Sequence, residues 1–213
     1  MKLHWYGHSC FLLTNRQGGR LLLDPFNDKV GYPMPMFEAD VVLTSHGHFD
    51  HANVDAVEGP FTRYAEPGRY EDHGFVITGF PTFHDNQKGA IRGSNTAFLV
   101  EADGCRILHL GDLGHVLSQS TVSAIGRVDI LLLPVGGGYT IDAGTAETVR
   151  RQLSPVCTVP MHYRTTVCLL TAIGGLEPYL EQVPTDMVRY LGADVDQVDL
   201  IGTPGIAIMK YAQ

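Results

Sequence analysis

The amino-acid sequence predicts an α+β fold in which two β-sheets pack together and helices lie outside them. Short β-type runs separated by turn residues dominate the first half of the chain, and strand and helix patterns alternate in the second. Both halves contain an apolar run that ends in polar residues. With 213 residues, 44% of them hydrophobic, the chain can bury one substantial core, and we expect a single domain over residues 1–213.

The predicted strands are short runs of apolar and β-branched residues bounded by glycine, asparagine or aspartate. The sequence Ala102-Asp103-Gly104 predicts a hairpin, because Asp-Gly suits a tight turn between antiparallel strands. The strands are predicted over Lys2–Tyr6, Cys10–Thr14, Arg20–Asp24, Val41–Thr44, Phe75–Thr78, Ala97–Glu101, Cys105–Leu110, Val128–Pro134, Val156–Pro160 and Ile206–Lys210.

Three helices are predicted from amphipathic spacing and capping residues. Ser118 is a suitable N-cap for the first, and Asp142 or Thr145 for the second, which has the clearest pattern. The segment Phe26–Phe37, rich in proline and aromatic residues, predicts a long loop, and loops of that length are often functional. The helices are predicted over Ser118–Ile125, Asp142–Leu153 and Thr185–Leu191.

Composition narrows the classes of partner. The net charge of −8 disfavours a nucleic-acid partner, which calls for a basic surface. No apolar stretch is long enough to span a bilayer and no signal-peptide pattern precedes the first strand, so we expect no membrane partner. The four cysteines lack Cys-x-x-Cys pairing and indicate reduced core thiols. These features favour a cytoplasmic protein.

The most informative segment follows the predicted strand Val41–Thr44. Within six positions it carries His46, His48, Asp50 and His51. Neutral imidazole and carboxylate are ligands that divalent transition metals prefer. His46 and His48 lie on the same side of an extended backbone, and Asp50 and His51 follow where the chain turns. The segment therefore predicts two overlapping ligand sets for two metal ions.

Other ligand-type residues follow predicted strands elsewhere in the chain. His84, Asp112 and His162 each come just after an apolar run. Because a bound metal must complete its coordination, these residues become candidates once the first segment is taken as a metal site. A carboxylate such as Asp112 can bridge two cations, which a histidine normally does not do.

The ligand-type motifs resemble those of the metallo-β-lactamase superfamily. The matching segments are His46-x-His48-x-Asp50-His51, Gly111-Asp112 and Pro160-Met161-His162-Tyr163, in this order. The opening Tyr6-Gly7-His8-Ser9-Cys10-Phe11 and the segment Leu23-Asp24-Pro25-Phe26 are similar to a subgroup of small hydrolases around the bacterial ascorbate-6-phosphate lactonase. The resemblance extends from Met1 to about Arg164.

The resemblance implies a four-layer αββα sandwich with a dinuclear site at one edge of its two mixed sheets. It implies that a hydroxide held between two metal ions attacks an ester, lactone, phosphoester or amide of a small substrate. An anionic substrate is compatible with the sequence. Zinc is the default ion, and manganese, iron and nickel are compatible. By motif, His46, His48 and His84 hold the first metal, Asp50, His51 and His162 hold the second, and Asp112 bridges both.

Several residues are candidates for roles around the metals. Asp50 is expected to orient the nucleophile, and His8 either to assist the transition state or leaving group, or to hydrogen-bond a metal ligand. His109 is expected outside the site, since it faces away from Asp112 on an extended strand. Loops such as Phe26–Phe37 and Asp85–Asn95 are expected to set the substrate. The sequence leaves open the roles of His115, Lys88, Arg92, Arg164 and Tyr139.

Leu113 departs from the family pattern, which has a small hydroxyl residue directly after the bridging aspartate, and this leaves the substrate class open. Two alternatives to a small-molecule hydrolase also stay open. The first is a nuclease of the same fold, which the acidic charge balance disfavours. The second is a metal-binding sensor without turnover, which geometry alone does not separate from an enzyme. A homo-oligomer is compatible with the sequence, which does not specify the oligomeric state.

Overall fold

The computed structural model describes residues 1–202 and 204–212, and its strands form two large mixed sheets. The strands are β1 Lys2–Gly7, β2 Cys10–Thr14, β3 Arg20–Leu23, β4 Phe37–Glu38, β5 Val41–Leu43, β6 Val57–Glu58, β7 Thr62–Tyr64, β8 Gly68–Asp72, β9 Phe75–Phe83, β10 Ser94–Ala102, β11 Cys105–His109, β12 Ile130–Pro134, β13 Cys157–Met161, β14 Val188–Leu191, β15 Asp194–Asp196 and β16 Gly205–Met209. The helices are α1 Gln119–Ile125, α2 Ala143–Leu153, α3 Glu177–Leu180 and α4 Gln197–Ile201.

The first sheet has the strand order β15-β1-β2-β3-β5-β7, and the second has the order β14-β16-β13-β12-β11-β10-β9-β8. In the first sheet, β15, β1, β2 and β3 pair antiparallel, and β3, β5 and β7 pair parallel. In the second, β8 to β11 pair antiparallel, and β11, β12, β13, β16 and β14 pair parallel. The predicted α+β sandwich of two mixed sheets is thereby confirmed. A short parallel ladder joins β4 and β6.

Side-chain alternation explains why two layers of apolar contact form. On β3, Leu21 and Leu23 belong to the main core, whereas Leu22 between them belongs to a second cluster. Successive strand residues point to opposite faces, so β3 is buried on both sides. The second cluster also contains Phe26 and Phe37, so the Phe26–Phe37 segment covers one face of the first sheet. On the other side of the molecule, α2 packs against β12 and α3.

All ten predicted strands are present, with boundaries that differ by a few residues, and the Asp-Gly turn joins β10 to β11 as predicted. The first two helices are also confirmed. The Ser118 hydroxyl caps α1 by accepting the Thr121 N–H at 3.1 Å, and the Asp142 carboxylate caps α2 by accepting the Thr145 N–H at 2.8 Å. The longest helix in the described part of the chain has 11 residues, and none is long and apolar enough to cross a membrane.

The helix predicted over Thr185–Leu191 is wrong. Thr185–Met187 forms a single 3₁₀ turn, and Val188–Leu191 forms strand β14, which pairs parallel with β16 at the edge of the second sheet. Pairing with an exposed sheet edge satisfies the backbone of a segment too short to form a stable helix alone. Strands β7, β8 and β15 were not predicted, because they are short, polar and mostly exposed.

Candidate metal centre

The predicted ligands come from four strand ends. His46, His48, Asp50 and His51 lie in the loop after β5 of the first sheet. His84 directly follows β9, Asp112 comes shortly after β11, and His162 directly follows β13, all in the second sheet. The structure brings the seven side chains into three overlapping groups of close ligand atoms. Both sheets therefore contribute to one cluster.

Asp112 lies at the centre of this cluster, with its two oxygens directed to different histidines. Its Oδ2 lies 3.1 Å from His84 Nε2 and 3.9 Å from His46 Nε2. Its Oδ1 lies 3.1 Å from His51 Nε2 and 3.2 Å from His162 Nε2. The side chain is 2% exposed. A single buried carboxylate thus separates two sets of imidazole nitrogens.

Within each of these overlapping groups, all potential ligand atoms lie within 4.8 Å of one another. One group contains His46, His48 and His84. A second contains Asp50, His51 and His162, together with His8, which the sequence had left between two roles. The His8 ring centre lies 4.2 Å from that of His162. His8 is therefore part of the cluster.

Several buried polar atoms in the cluster lack a hydrogen-bond partner. Among the described residues this is true of His51 Nε2, His162 Nε2 and Asp112 Oδ1. Although the His51 and Asp112 atoms are 3.1 Å apart, their orientation does not form a hydrogen bond. Leaving buried polar atoms unpaired costs free energy, and a cation among them would remove that cost. The residues present therefore fit a divalent metal.

The electrostatics of the cluster also suit a cation. Burial lowers the pKa of His46 to about 3 and that of His8 to about 4, so both are neutral nitrogen donors at neutral pH. Burial opposes the charge on Asp112, but His162 and His51 outweigh it and hold its pKa well below the usual range. At His51 burial is likewise outweighed, by Asp112 and Asp24, which hold its pKa well above the ordinary value. The ionised Asp112 carboxylate therefore lies beside histidine rings of both ligand groups.

The buried carboxylate of Asp24, noted in the sequence only as part of the segment Leu23-Asp24-Pro25-Phe26, contacts the candidate ligand His51. Asp24 accepts the Nδ1–H of His51 at 2.8 Å and the Nε2–H of His109 at 2.8 Å. It also accepts the backbone N–H and the hydroxyl of Ser45, both at 2.7 Å. His109 thus lies one contact away from a ligand rather than outside the site. Such carboxylate–histidine contacts fix the ring orientation of a metal ligand.

The backbone before Asp112 is held by an amide side chain. Asn95 Oδ1 accepts the Asp112 N–H at 2.9 Å, and Asn95 Nδ2 donates to the Leu110 carbonyl at 2.9 Å. Gly111 has a φ of 53°, and a Cβ there would lie 2.4 Å from the Ser45 Cβ. Glycine is required at this position, because no side chain fits between Asp112 and the loop of the first sheet.

His8 lies against Asp50. Its Nε2–H donates to Asp50 Oδ2 at 3.3 Å, and its ring is fully buried. The backbone of His8 has a φ of 51°, and its carbonyl accepts the His162 N–H at 3.1 Å. A fully buried ring whose side-chain hydrogen bond goes to Asp50 favours a role in orienting that carboxylate over direct contact with a leaving group.

A cavity of about 620 Å³ opens beside the cluster. Of the residues with undetermined roles, Arg92 and Tyr139 line it, whereas Lys88 and Arg164 are exposed and do not. His115 Nε2 instead accepts the Phe83 N–H at 3.1 Å, so it serves the backbone. The Asp85–Asn95 loop contributes to the lining, and the Phe26–Phe37 loop does not. The lining residues are Gly47, His48, Phe49, Asp50, His84, Ile91, Arg92, Asp112, Tyr139 and Leu170.

A second cavity of about 530 Å³ shares Gly47, His48 and Arg92 with the first. Its remaining lining is more polar and includes Arg63 and Glu66. The Arg63 guanidinium donates to the Thr44 hydroxyl at 3.1 and 3.0 Å. Two of the candidate ligands, His46 and His48, therefore line this second cavity as well.

A two-sheet sandwich with a histidine- and aspartate-rich cluster at its strand ends defines a class of proteins built to hold metal ions. The chain belongs to the beta-lactamase superfamily, whose domain model matches residues 2–162. That match includes all seven predicted ligands and confirms the superfamily suggested by the motifs. The comparisons do not single out the lactonase subgroup, which stays a prediction.

Relatives extend the likeness over almost the whole chain. A "UPF0173 metal-dependent hydrolase" of Methanoregula boonei is 29% identical over 94% of this chain and 98% of its own length. One of the same family from Thermoplasma volcanium is 31% identical over 78% of this chain and 84% of its own. A crystal structure from Thermotoga maritima, described as a candidate Zn-dependent hydrolase of the metallo-beta-lactamase superfamily, has a TM-score of 0.80 and 35% identity, covering 98% of this chain and 97% of that one.

Proposed function

We propose that this protein is a metal-dependent hydrolase that uses two divalent cations to cleave an ester, lactone, phosphoester or amide bond of a small substrate. The observation that carries the proposal is Asp112, whose two buried oxygens face separate histidine pairs. A carboxylate in this position can contact two ions at once. The relatives named as metal-dependent hydrolases support the same class of reaction.

The two proposed ligand sets share Asp112. His46, His48 and His84 would hold the first ion, and Asp50, His51 and His162 would hold the second. Nitrogen and carboxylate donors of this kind suit zinc, which is our proposed metal, and they also accommodate manganese, iron and nickel. The name of the Thermotoga maritima protein refers to zinc and supports that choice.

When bound, the two ions would supply a hydroxide nucleophile at neutral pH and polarise the oxygen of the electrophile. Asp50 would orient the nucleophile as well as contact the second ion. His8 and His51 outweigh the effect of burial and hold the pKa of Asp50 below its usual range, so the carboxylate accepts hydrogen bonds at neutral pH. His8, with its Nε2–H on Asp50, would act as a positioning residue that keeps this carboxylate in place.

The cavity beside the cluster supports a small-molecule substrate rather than a polymer. Its volume of about 620 Å³ is in the usual range for small ligands. The acidic net charge of −8 favours neither a nucleic-acid partner nor an anionic membrane surface. Because the cysteines at positions 10, 105, 157 and 168 are all free, a reducing compartment suits the chain, and we propose the cytoplasm.

Elemental analysis combined with turnover tests this function. We expect two metal equivalents per chain, and hydrolysis of at least one probe from a panel of aryl ester, lactone, phosphodiester and anilide. A chelator should abolish that hydrolysis, and added Zn²⁺ should restore it. Metal bound without turnover of any probe in the panel, or of RNA tested beside it, would instead support the sensor. Turnover that survives complete metal removal would contradict the proposal.

Replacement of Asp112 tests the bridging role. Asp112→Ala should reduce the bound metal to one equivalent or less, because both ligand sets lose an oxygen. His73→Gln is the control, since His73 is half-exposed and contacts Asp72 away from the cluster. An Asp112→Ala variant that keeps two equivalents and full turnover would contradict the bridge.

A further inference from the structure

The cavity beside the metal centre combines apolar walls with a cationic side chain. Phe49 and Ile91 are 47% and 59% exposed, and Tyr139 and Leu170 extend the apolar lining. Large apolar side chains exposed around a concavity mark a surface that contacts a ligand. Arg92 lines the same cavity. A ligand that fills this space meets apolar groups and a guanidinium together.

Arg92 is held so that its charged group stays available. Its guanidinium carbon lies 5.3 Å from the centre of the Tyr139 ring, and its Nη2 donates to the Gly138 carbonyl at 3.4 Å. A guanidinium has five N–H donors, and stacking on an aromatic ring leaves the donors at its edge free. This arrangement suits an anion with two oxygens.

The charge of Arg92 is not neutralised by a carboxylate of the described residues. Elsewhere in the described part of the chain, six other arginines form ion pairs with carboxylates: Arg20, Arg69, Arg106, Arg127, Arg150 and Arg151. The chain as a whole carries a net charge of −8. An unpaired cation in a cavity of an acidic protein attracts an anionic ligand to that place.

The backbones that carry Arg92 and Tyr139 are both fixed. The Asp85 carboxylate accepts the N–H of Arg92 at 2.8 Å and that of Ile91 at 2.9 Å. Gly138 has a φ of 71°, and a Cβ there would lie 2.0 Å from the Ala172 carbonyl oxygen. The glycine lets the loop pack closely and places Tyr139 under the guanidinium. A preorganised contact of this kind loses little entropy on binding.

We infer that Arg92 binds a carboxylate or phosphate group of the substrate, separated by an apolar segment from the bond that is cleaved. The inference rests on the proposed hydrolase function, since it concerns the substrate of the same site. The apolar segment would contact Phe49, Ile91 and Leu170, and the scissile bond would lie towards His48 and Asp112. Lys88 and Arg164, outside the cavity lining, take no part.

A binding experiment tests Arg92 without requiring turnover. Dicarboxylates from butanedioate to decanedioate are each compared with the monocarboxylate of the same chain length, by calorimetry on zinc-loaded protein. Either compound can place one carboxylate on the metals, so the additional affinity of the dicarboxylate reports the second carboxylate. We expect wild-type protein to bind one range of dicarboxylate lengths about tenfold more tightly than the matched monocarboxylates.

Arg92→Gln should remove this additional affinity and leave monocarboxylate binding within about twofold. Lys88→Gln is the matched control, because it removes the same charge from the same loop at an exposed position. The zinc content of each variant is measured in parallel. The inference is overturned if wild-type protein binds no dicarboxylate more tightly than the matched monocarboxylate. It is equally overturned if the additional affinity persists in Arg92→Gln. It is also overturned by an equal loss in Lys88→Gln, or by an equal weakening of monocarboxylates in Arg92→Gln.

A kinetic experiment then connects Arg92 to the reaction. Two aryl esters of the same chain length are compared, one with a terminal carboxylate and one with a neutral terminal methyl group. We expect Arg92→Gln to raise KM for the charged ester about tenfold, with kcat and the neutral ester little changed. An equal effect on both esters would overturn the inference. Absence of hydrolysis with both esters would count against an ester as the bond that the proposed hydrolase cleaves. The binding experiment would still decide the role of Arg92.

Discussion

At the scale of single residues, Asp24 accepts four hydrogen bonds, one of them from the proposed metal ligand His51. His51, His109 and Ser45 all donate hydrogen bonds to this fully buried carboxylate, and His109 and His51 outweigh burial to keep its pKa low. None of these four hydrogen bonds joins Asp24 to Asp112, His84 or His162, the candidate ligands of the second sheet. Its effect on metal binding therefore passes through the orientation of His51 and, by way of the Ser45 hydroxyl 3.0 Å from His46 Nδ1, through that of His46.

Asp24→Asn should weaken metal binding by about 10- to 100-fold, because an amide cannot accept all four of these hydrogen bonds. Competition with a chromogenic chelator measures the affinity. Asp129→Asn is the control: Asp129 is also a buried carboxylate, which accepts the Arg106 N–H at 2.8 Å, but it precedes β12 at the end of the strand away from the cluster. A similar loss of affinity in both variants would indicate general destabilisation instead.

Gly111→Ala should lower the free energy of unfolding by about 2–4 kcal/mol, since the added Cβ meets Ser45 and the left-handed φ disfavours alanine. Gly104→Ala separates the two causes. Gly104 also has a positive φ, of 75°, but a Cβ there meets nothing within 4 Å, so we expect a loss of about 1 kcal/mol. Urea unfolding measures both. Equal losses would show that the contact with Ser45 contributes nothing.

The residues that the sequence could and could not predict differ in a physical way. His46, His48, Asp50 and His51 are close in the chain, so local spacing was enough to find them. Asp24 and His109 meet only because the two sheets pack face to face. Parity along one strand predicts only that His109 and Asp112 point to opposite sides, and it says nothing about which side chain the opposite sheet brings to His109.

At the scale of secondary-structure elements, the loop after β9 connects the proposed metal ligand His84 to the cavity wall. It begins at His84 and carries Ile91 and Arg92. Asp85 holds it by accepting four backbone N–H groups, from residues 87, 89, 91 and 92, at 2.7 to 2.9 Å. These four hydrogen bonds outweigh burial and lower the pKa of the Asp85 carboxyl to about 2.

Asp85→Asn should destabilise the protein at neutral pH and speed hydrogen exchange at the amides of this loop. Because the pKa in the folded state is below that in the unfolded state, the stabilisation is complete above the unfolded value of about 4 and disappears as the pH falls through about 2. Unfolding of chelator-treated protein should therefore show a wild-type advantage at pH 7 that shrinks towards pH 2. Asp186→Asn, which makes the same change at an exposed position outside this loop, is the control.

Strands with continuous apolar runs were predicted correctly, and a strand formed by pairing at a sheet edge was not. Strands β5 and β12 are buried along their whole length, and their apolar runs identify them. By contrast, β14 is only partly buried, and β16 alone supplies its pairing partner. The segment Thr185–Leu191 therefore carries too little local pattern to distinguish a strand from a helix.

At the scale of the whole molecule, the proposed metal ions would connect the two sheets. The loop after β5 in the first sheet and the ends of β9, β11 and β13 in the second all contribute to the cluster. The alternation of strands and helices predicted two packed sheets, and the motifs predicted which ends would meet. The cavity walls depended on long-range loop contacts, such as Arg92 on Tyr139, that no spacing rule contains.

Zinc should therefore stabilise the whole fold. If each of two sites is filled at about 100 times its Kd, the gain is about 2.7 kcal/mol per site, which corresponds to a rise in Tm of roughly 10–20 °C for the pair. His84→Ala removes a ligand of only the first proposed site, so about half of this rise should remain. His73→Gln, which alters a histidine outside the cluster, should retain all of it. A full zinc-dependent rise in His84→Ala would contradict two separate sites joined through Asp112, whereas a complete loss would indicate that the two ions bind only together.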